Sequence, residues 1–266
     1  MRIGDTFARL KAERRHGLVT YTTAGDPTLD RSAEILRTLD RAGADVLEVG
    51  VPFSDPLADG PVIQRATERA LAAGTTLRGV LEMIETIRPS IKAPIVLFSY
   101  ANPMLRLGVD AFARRAAAAG VDGVLALDLP IEEATDVRAS LQSAGVDTIF
   151  LLSPTTTEAR IKRAGELGSG FLYGISRLGV TGARDRVASG AEALVRRIRA
   201  YTPLPVALGF GISRPEHVAE VCAYADAAVV GSALVSVIAE AGDTPALTGK
   251  VEEYVRWLKG AHANVG

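Results

Sequence analysis

One carboxylate of the sequence lies in a setting that suits proton transfer. Glu48 is inside the apolar run 46–51, where the two-residue period of a β-strand turns it away from the bulkier apolar side chains. If those side chains pack against helices, Glu48 points into the interior, where burial raises a carboxyl pKa towards working pH. Glu48 is therefore a candidate general acid and base. The structural alternative is an ion pair, but the runs 95–99 and 206–209 contain no Lys or Arg.

A second carboxylate, Asp59, follows on a proline-rich loop. Residues 52–61 read PFSDPLADGP, and prolines restrict the conformations of such a loop even before folding. Pro61 suits the first turn of a following helix. We expect Asp59 to face a ligand from the side opposite Glu48. The alternative for Asp59 is a helix cap, a position that Asp favours.

Glycine-rich turns follow two later strand candidates. Residues 209–213 read GFGIS, and residues 230–233 read VGSA. Barrel enzymes often bind phosphate at the loops after strands seven and eight, through backbone N–H groups and the positive end of a short helix. The sequence therefore predicts a phosphate site at Gly211, Gly231 and Ser232.

The elements that must position these residues alternate along the chain. Strand candidates are residues 18–23, 46–51, 95–99, 123–127, 148–152, 171–175, 206–209 and 227–231. Helix candidates between them are 31–42, 61–73, 110–119, 131–144, 157–167, 191–200 and 215–223. Because consecutive parallel strands need a crossover, the alternation predicts an α/β fold, a single (β/α)8 TIM barrel over residues 1–266. Extra helices are expected at the N-terminus (5–14), after strand 2 (76–87) and at the C-terminus (251–259). An open doubly wound sheet fits less well, since no GxGxxG follows Thr23.

The composition excludes several classes of partner. With 30 basic and 31 acidic residues, the chain has no overall field that favours nucleic acid or a membrane surface. Charged residues interrupt every apolar run before it could span a bilayer. Cys222 is the single cysteine, which excludes an internal disulfide and indicates the cytoplasm. The three histidines share no ligand spacing, so no metal site is expected.

The motifs carry a resemblance to a known family. Residues 47–61, LEVGVPFSDPLADGP, resemble the signature of tryptophan synthase alpha chains, and residues 173–184, YGISRLGVTGAR, resemble the mobile active-site loop of that family. Residues 21–27, 100–103 and 128–130 also resemble it, so the likeness covers nearly the whole chain.

The resemblance implies a retro-aldol cleavage of indole-3-glycerol phosphate to indole and glyceraldehyde 3-phosphate. It assigns proton transfer to Glu48, binding of the indole N–H to Asp59, and a place near the reacting centre to Tyr173. It puts Arg177 and Thr181 on a lid loop and adds Gly182 to the phosphate site. It gives an indole pocket of Tyr21, Phe98, Tyr100, Leu125, Leu127 and Phe210. Ordinary barrel core is the alternative for Phe98 and Leu125, because large side chains fill such interiors.

The resemblance also implies a partner and no cofactor in this chain. Pyridoxal phosphate is expected in a beta chain, in an alpha2beta2 tetramer in which indole passes to that chain for L-tryptophan synthesis. Asp55, Asn102 and Pro103 would lie at the contact, with residues 102–107 as a loop.

Three alternative functions stay open: a free-standing indole-3-glycerol phosphate lyase, another phosphate-binding barrel such as an isomerase or aldolase, and a catalytically silent regulatory barrel. A Schiff-base aldolase needs a strand lysine, and none of the eight candidates has one.

Overall fold

Strands and helices alternate in the structure, a computed structural model that describes residues 2–175, 190–209 and 211–260. The strands are β1 Gly17–Thr23, β2 Val46–Gly50, β3 Ile95–Ser99, β4 Gly123–Ala126, β5 Asp147–Ile149, β6 Leu151–Leu152, β7 Leu172–Ile175, β8 Val206–Gly209 and β9 Ala227–Val230. The helices are α1 Arg2–Ala12, α2 Leu29–Ala42, α3 Pro61–Ala72, α4 Leu77–Ile87, α5 Ala101–Leu107, α6 Val109–Ala119, α7 Thr135–Ser143, α8 Glu158–Leu167, α9 Ala191–Arg199, α10 Pro215–Cys222, α11 Ser232–Ala241 and α12 Leu247–Leu258.

All strand pairs are parallel, and they run around a barrel. The order is β5-β4-β3-β2-β1-β9-β8-β7-β6. Its two ends, β5 and β6, are halves of one predicted strand that is interrupted at Phe150. The first half pairs with β4, the second pairs with β7, and the Tyr173 N–H donates to the Phe150 carbonyl at 2.9 Å. The predicted (β/α)8 barrel is therefore confirmed.

The two faces of each strand meet different surroundings. Leu47 and Val49 belong to the large apolar layer between barrel and helices, whereas Val46 packs inside the barrel. Glu48 is in register with Tyr21 of β1 and with Val96 of β3, so it shares the inner face of the sheet. This is the orientation that the two-residue period predicts.

Three helices lie where the sequence predicts additions to the barrel: α1 at the N-terminus, α4 after β2 and α12 at the C-terminus. Helix α1 covers the end of the barrel from which the strands begin. Its residues Ile3, Phe7 and Leu10 join the interior cluster, and the rings of Phe7 and Phe171 lie 5.6 Å apart. At the opposite end of the barrel, where the strands finish, the βα loops surround the opening.

Two sequence predictions about helices were wrong, and one helix was not predicted. Residues 102–107 were expected to be a loop but belong to α5, because the Asp128 carboxylate accepts from the Ala101 N–H at 2.6 Å and caps this short helix from another part of the chain. The helix predicted at 131–144 is a 3₁₀ turn, Ile131–Glu133, followed by α7. Helix α11 was not predicted, since its many apolar residues show little helical periodicity.

Candidate active site

Glu48 is a fully buried carboxyl group on β2. Its relative exposure is 0 %, and neither carboxylate oxygen has a hydrogen-bond partner in the part of the chain that the structure describes. Desolvation by burial raises its pKa to about 8. The ion-pair alternative therefore finds no basic partner in the described ranges. An acid that is held protonated near neutral pH can deliver a proton to a ligand.

Asp59 ends the loop between β2 and α3, and Tyr100 binds it. The Tyr100 hydroxyl donates to Asp59 Oδ2 at 3.1 Å and accepts from the Ala58 N–H, also at 3.1 Å. Burial raises the Asp59 pKa to about 6, while the Tyr100 hydrogen bond opposes that rise. The cap residue of α3 is Gly60, with no side-chain cap bond. Asp59 is therefore not the helix cap that the sequence offered as an alternative.

Two buried tyrosines lie beside Glu48 and face the mouth of the barrel. A β-carbon on Gly50 would come within 2.2 Å of the Tyr21 hydroxyl oxygen, and one on Gly209 within 2.4 Å of the Tyr173 hydroxyl oxygen. Each phenol thus lies over the backbone of a glycine in a neighbouring strand. Burial is the largest cause of the raised pKa of both phenols, and the Glu48 charge adds to it. Both hydroxyls therefore stay protonated at neutral pH.

A cavity opens at the mouth of the barrel. Its wall includes the predicted residues Tyr21, Asp59, Phe98, Leu127 and Tyr173. It also includes residues that the sequence analysis did not single out: Ala58, Ile63, Leu151, Ile212, Val229 and Ala233. Strand alternation could have found two of these, since Leu151 and Val229 project inward from β6 and β9.

Three predicted site residues lie outside the cavity wall. Leu125 is fully buried in the barrel core, as the structural alternative had it. Tyr100 packs on Phe53, at a ring-centroid distance of 5.1 Å, and supports Asp59. Glu48 lies next to Tyr21 and Tyr173, which do line the cavity.

The glycine-rich turns after β8 and β9 form part of the cavity wall. Gly211, Gly231 and Ser232 all line the cavity. Gly231 is the cap residue of α11, and Ser232 is its first residue. The first turn of a helix has N–H groups without partners in the helix, and the helix dipole places partial positive charge there. These three residues can therefore hold an anion.

Four predicted residues fall outside the described ranges. They are Phe210 of the indole pocket, Arg177 and Thr181 of the lid loop, and Gly182 of the phosphate site.

The predicted partner-contact residues lie on the same end of the molecule as the cavity. Asp55 and Asn102 are exposed, and Pro103 is half-buried. Three large apolar side chains nearby are exposed, namely Leu57 at 93 %, Leu105 at 54 % and Leu107 at 46 %. Exposed apolar groups of this size around a cavity mouth are typical of a surface that another protein covers.

Neither a metal-binding cluster nor a membrane-spanning helix occurs among the described residues. They include no group of three or more His, Cys, Asp or Glu side chains placed to hold a metal ion. Over the same ranges, no helix has the length and apolar character to cross a membrane.

The parallel barrel and the two acids with separated pKa values define an acid–base enzyme of the (β/α)8 class. The model of the family described as "Tryptophan synthase alpha chain" matches residues 7–262. The chain belongs to this family, whose members are lyases of tryptophan biosynthesis.

Individual relatives agree with the family assignment. The tryptophan synthase alpha chain of Solibacter usitatus is 49% identical over 258 residues, which cover 97% of each chain. The crystal structure of tryptophan synthase subunit alpha from Legionella pneumophila superposes with a TM-score of 0.88 at 38% identity, covering 98% of this chain and 97% of that one. A chain of Mycobacterium tuberculosis tryptophan synthase gives a TM-score of 0.90 at 38% identity, covering 97% of both.

Proposed function

We propose that this chain cleaves indole-3-glycerol phosphate to indole and glyceraldehyde 3-phosphate. The observation that carries the proposal is the pair of acids, Asp59 on the cavity wall and Glu48 buried as the cross-strand neighbour of Tyr21, with pKa values of about 8 for Glu48 and about 6 for Asp59. Between these two values Glu48 is protonated while Asp59 is ionised. One acid can then donate a proton while the other balances positive charge.

The proposed reaction moves one proton in each direction through Glu48. The carboxyl group protonates C3 of the indole ring, and the ring becomes an electron sink. Asp59 accepts the indole N–H and stabilises the positive charge on the ring. The C–C bond then breaks as the Glu48 carboxylate takes the proton of the glycerol hydroxyl, which leaves as an aldehyde. Glu48 ends protonated, as it began, so the step needs no metal or organic cofactor.

The cavity wall offers a suitable surface for each end of this substrate. Tyr21, Phe98 and Leu127 offer an apolar wall for the indole ring, and the ring of Tyr173 lies 6.5 Å from that of Phe98. Gly231 and Ser232, at the start of α11, and Gly211, in the turn after β8, would bind the phosphate through backbone N–H groups. Because Glu48 is fully buried beside the tyrosines, we expect its side chain to rotate towards the cavity when substrate binds.

We further propose that a beta chain carrying pyridoxal phosphate binds over the cavity, in an alpha2beta2 tetramer, and receives the indole. The exposed apolar side chains Leu57, Leu105 and Leu107 support this, together with the exposed Asp55 and Asn102. We expect the cytoplasm as the compartment, since the one cysteine of the chain, Cys222, is free and buried.

An indole-release assay with indole-3-glycerol phosphate tests the reaction and the partner together. The purified chain is assayed alone and with a tryptophan synthase beta chain. We expect release in both cases and a rate at least tenfold higher with the beta chain. High activity that the beta chain does not change would favour the free-standing lyase. A complete lack of release in both cases would favour the silent barrel.

A substitution that introduces a charge on the proposed contact surface distinguishes binding of the beta chain from catalysis by the isolated chain. Leu105→Glu should weaken binding of the beta chain at least tenfold while the isolated chain keeps its basal rate. Trp257→Glu is the control, because Trp257 is also an exposed apolar side chain but lies near the end of α12, where Lys259 bonds to Asp45 just before β2, at the end where the strands begin. Equal binding by both variants would contradict the proposed surface.

A further inference from the structure

The turn that carries Asp59 is held from behind by a side chain of α3. The Asp59 N–H donates to the Pro56 carbonyl at 3.0 Å, which closes the turn. Gln64, in the first turn of α3, directs its side chain back towards this turn. Its Nε2 donates to the Asp59 carbonyl at 2.9 Å and to the Pro56 carbonyl at 3.4 Å. One carboxamide therefore links both ends of the turn to the helix.

Only a hydrogen-bond donor at position 64 can link the turn to the helix, because both atoms that the Gln64 side chain contacts are carbonyl oxygens. The side-chain amide of Gln has two N–H groups on one nitrogen, one for each carbonyl. A carboxylate of the same shape would set negative oxygens against the carbonyl dipoles. The α3 cap residue, Gly60, makes no side-chain cap bond, so the helix start does not hold the turn in the usual way.

The Asp59 carboxylate and its backbone are thus fixed by different residues. Tyr100 holds Oδ2, while Gln64 holds the backbone carbonyl of the same residue. Gln64 is half-buried and is not part of the cavity wall. Its effect on a ligand must therefore pass through Asp59.

We propose that Gln64 is a positioning residue that sets the direction of the Asp59 carboxylate by tying the Pro56–Asp59 turn to helix α3. This inference rests on the proposed function, in which Asp59 stabilises the positive indole ring. Loss of the tie lets the turn rotate, and displacement of a charge-stabilising group by about 1 Å can cost about a hundredfold in rate. Phosphate binding at Gly211, Gly231 and Ser232 does not involve the turn that Gln64 holds.

Two variants of similar size test the proposal in the full chain. Gln64→Met keeps the length of the side chain but has no donor, and Gln64→Glu keeps its shape but replaces the donor with a carboxylate. Gln142→Met and Gln142→Glu are the controls, since Gln142 is exposed on α7. The readouts are kcat and KM for indole release, affinity for glycerol 3-phosphate, and urea unfolding.

We expect kcat to fall tenfold to a hundredfold in both Gln64 variants, with glycerol 3-phosphate affinity within twofold of wild type. Gln64→Glu should also move the acid limb of the pH profile upward, because its negative charge opposes ionisation of Asp59. A merely structural role would lower stability without moving that limb. A kcat for Gln64→Met within twofold of wild type would overturn the proposal, and so would a change in KM alone.

A measurement without substrate separates this inference from the proposed function. The Asp59 carboxyl carbon is titrated by NMR in wild type and in both Gln64 variants, with Asp59→Asn to assign the signal. A changed titration curve in the uncharged Gln64→Met variant supports the inference, and a curve unchanged from wild type overturns it. If wild type releases no indole, the proposed function fails, and the titration still decides whether Gln64 acts on Asp59.

Discussion

The Tyr173 phenol lies over the backbone of Gly209, so that a β-carbon at position 209 would be 2.4 Å from its hydroxyl oxygen and 3.0 Å from two ring carbons. Real β-carbons essentially never come so close, which means that the ring can lie here only because β8 has a glycine at this point. The same relationship joins Tyr21 and Gly50 on the other side of the barrel. Two glycines without a positive φ thus shape the aromatic side of the cavity.

Gly209→Ala should therefore displace the Tyr173 ring and impair cleavage while the barrel still folds. We expect kcat to fall tenfold to a hundredfold, the range that a misplacement of about 1 Å produces. Gly249→Ala is the control, since a β-carbon there meets nothing within 4 Å and the site is exposed on α12. Steady-state indole release and urea unfolding measure the two effects. A Gly209→Ala enzyme with normal kcat would show that the Tyr173 position is not critical.

Tyr100→Phe should make Asp59 harder to ionise. The variant removes the hydroxyl that donates to Asp59 Oδ2 and accepts from the Ala58 N–H. Because that bond lowers the Asp59 pKa, its loss should raise the pKa above about 6 and reduce kcat/KM about tenfold at pH 6, less at pH 7.5. Tyr201→Phe, which loses a surface hydroxyl bonded to Glu158, should leave the profile unchanged. The same loss at every pH would argue against an effect on ionisation.

The pH dependence of the unmodified enzyme should be bell-shaped. The active form has Asp59 ionised and Glu48 protonated, and this form dominates between pH values of about 6 and about 8. We expect kcat/KM for indole release to fall on both sides of that range. Asp59→Asn should remove the lower limb and leave a low residual rate. A flat profile from pH 5 to 9 would be inconsistent with this division of roles.

Glu48→Gln should abolish cleavage and change how stability depends on pH. The Glu48 pKa rises from 4.5 to about 8 on folding, so the folded state binds this proton more tightly than the unfolded state. The stability contributed by the protonated group is complete below pH 4.5 and is lost as the pH rises towards 8. Gln has no such proton, so the variant should gain stability relative to wild type over this range, by up to about 1.4 kcal/mol per pH unit.

Urea unfolding at pH values of about 5.5, 7 and 8.5 would measure the difference in stability between the Glu48→Gln variant and wild type. Glu240→Gln is the control, because Glu240 is exposed near the end of α11. Its difference from wild type should stay constant with pH. A constant difference for Glu48→Gln as well would mean that burial does not perturb this carboxyl group.

Local patterns of the sequence determined much of the framework. The alternation of short apolar runs with amphipathic segments predicted the barrel, because parallel strands require crossovers whatever the surrounding residues are. The period of two along residues 46–51 was enough to turn Glu48 inward. Local periodicity does not predict the short helix α5, because the start of this helix depends on Asp128 from a different βα unit.

Only the tertiary structure decided which distant side chains meet. Tyr100 was expected on the indole wall but lies behind Asp59, which is 41 positions away in the sequence. Tyr173 and Gly209 are in contact because β7 and β8 pair in one particular register, and a shift of that register would separate them. Residue types and local periods are properties of a short segment, and the sequence states them directly. Register, burial and the resulting pKa of Glu48 depend on the whole barrel closing around one interior, which no segment specifies alone.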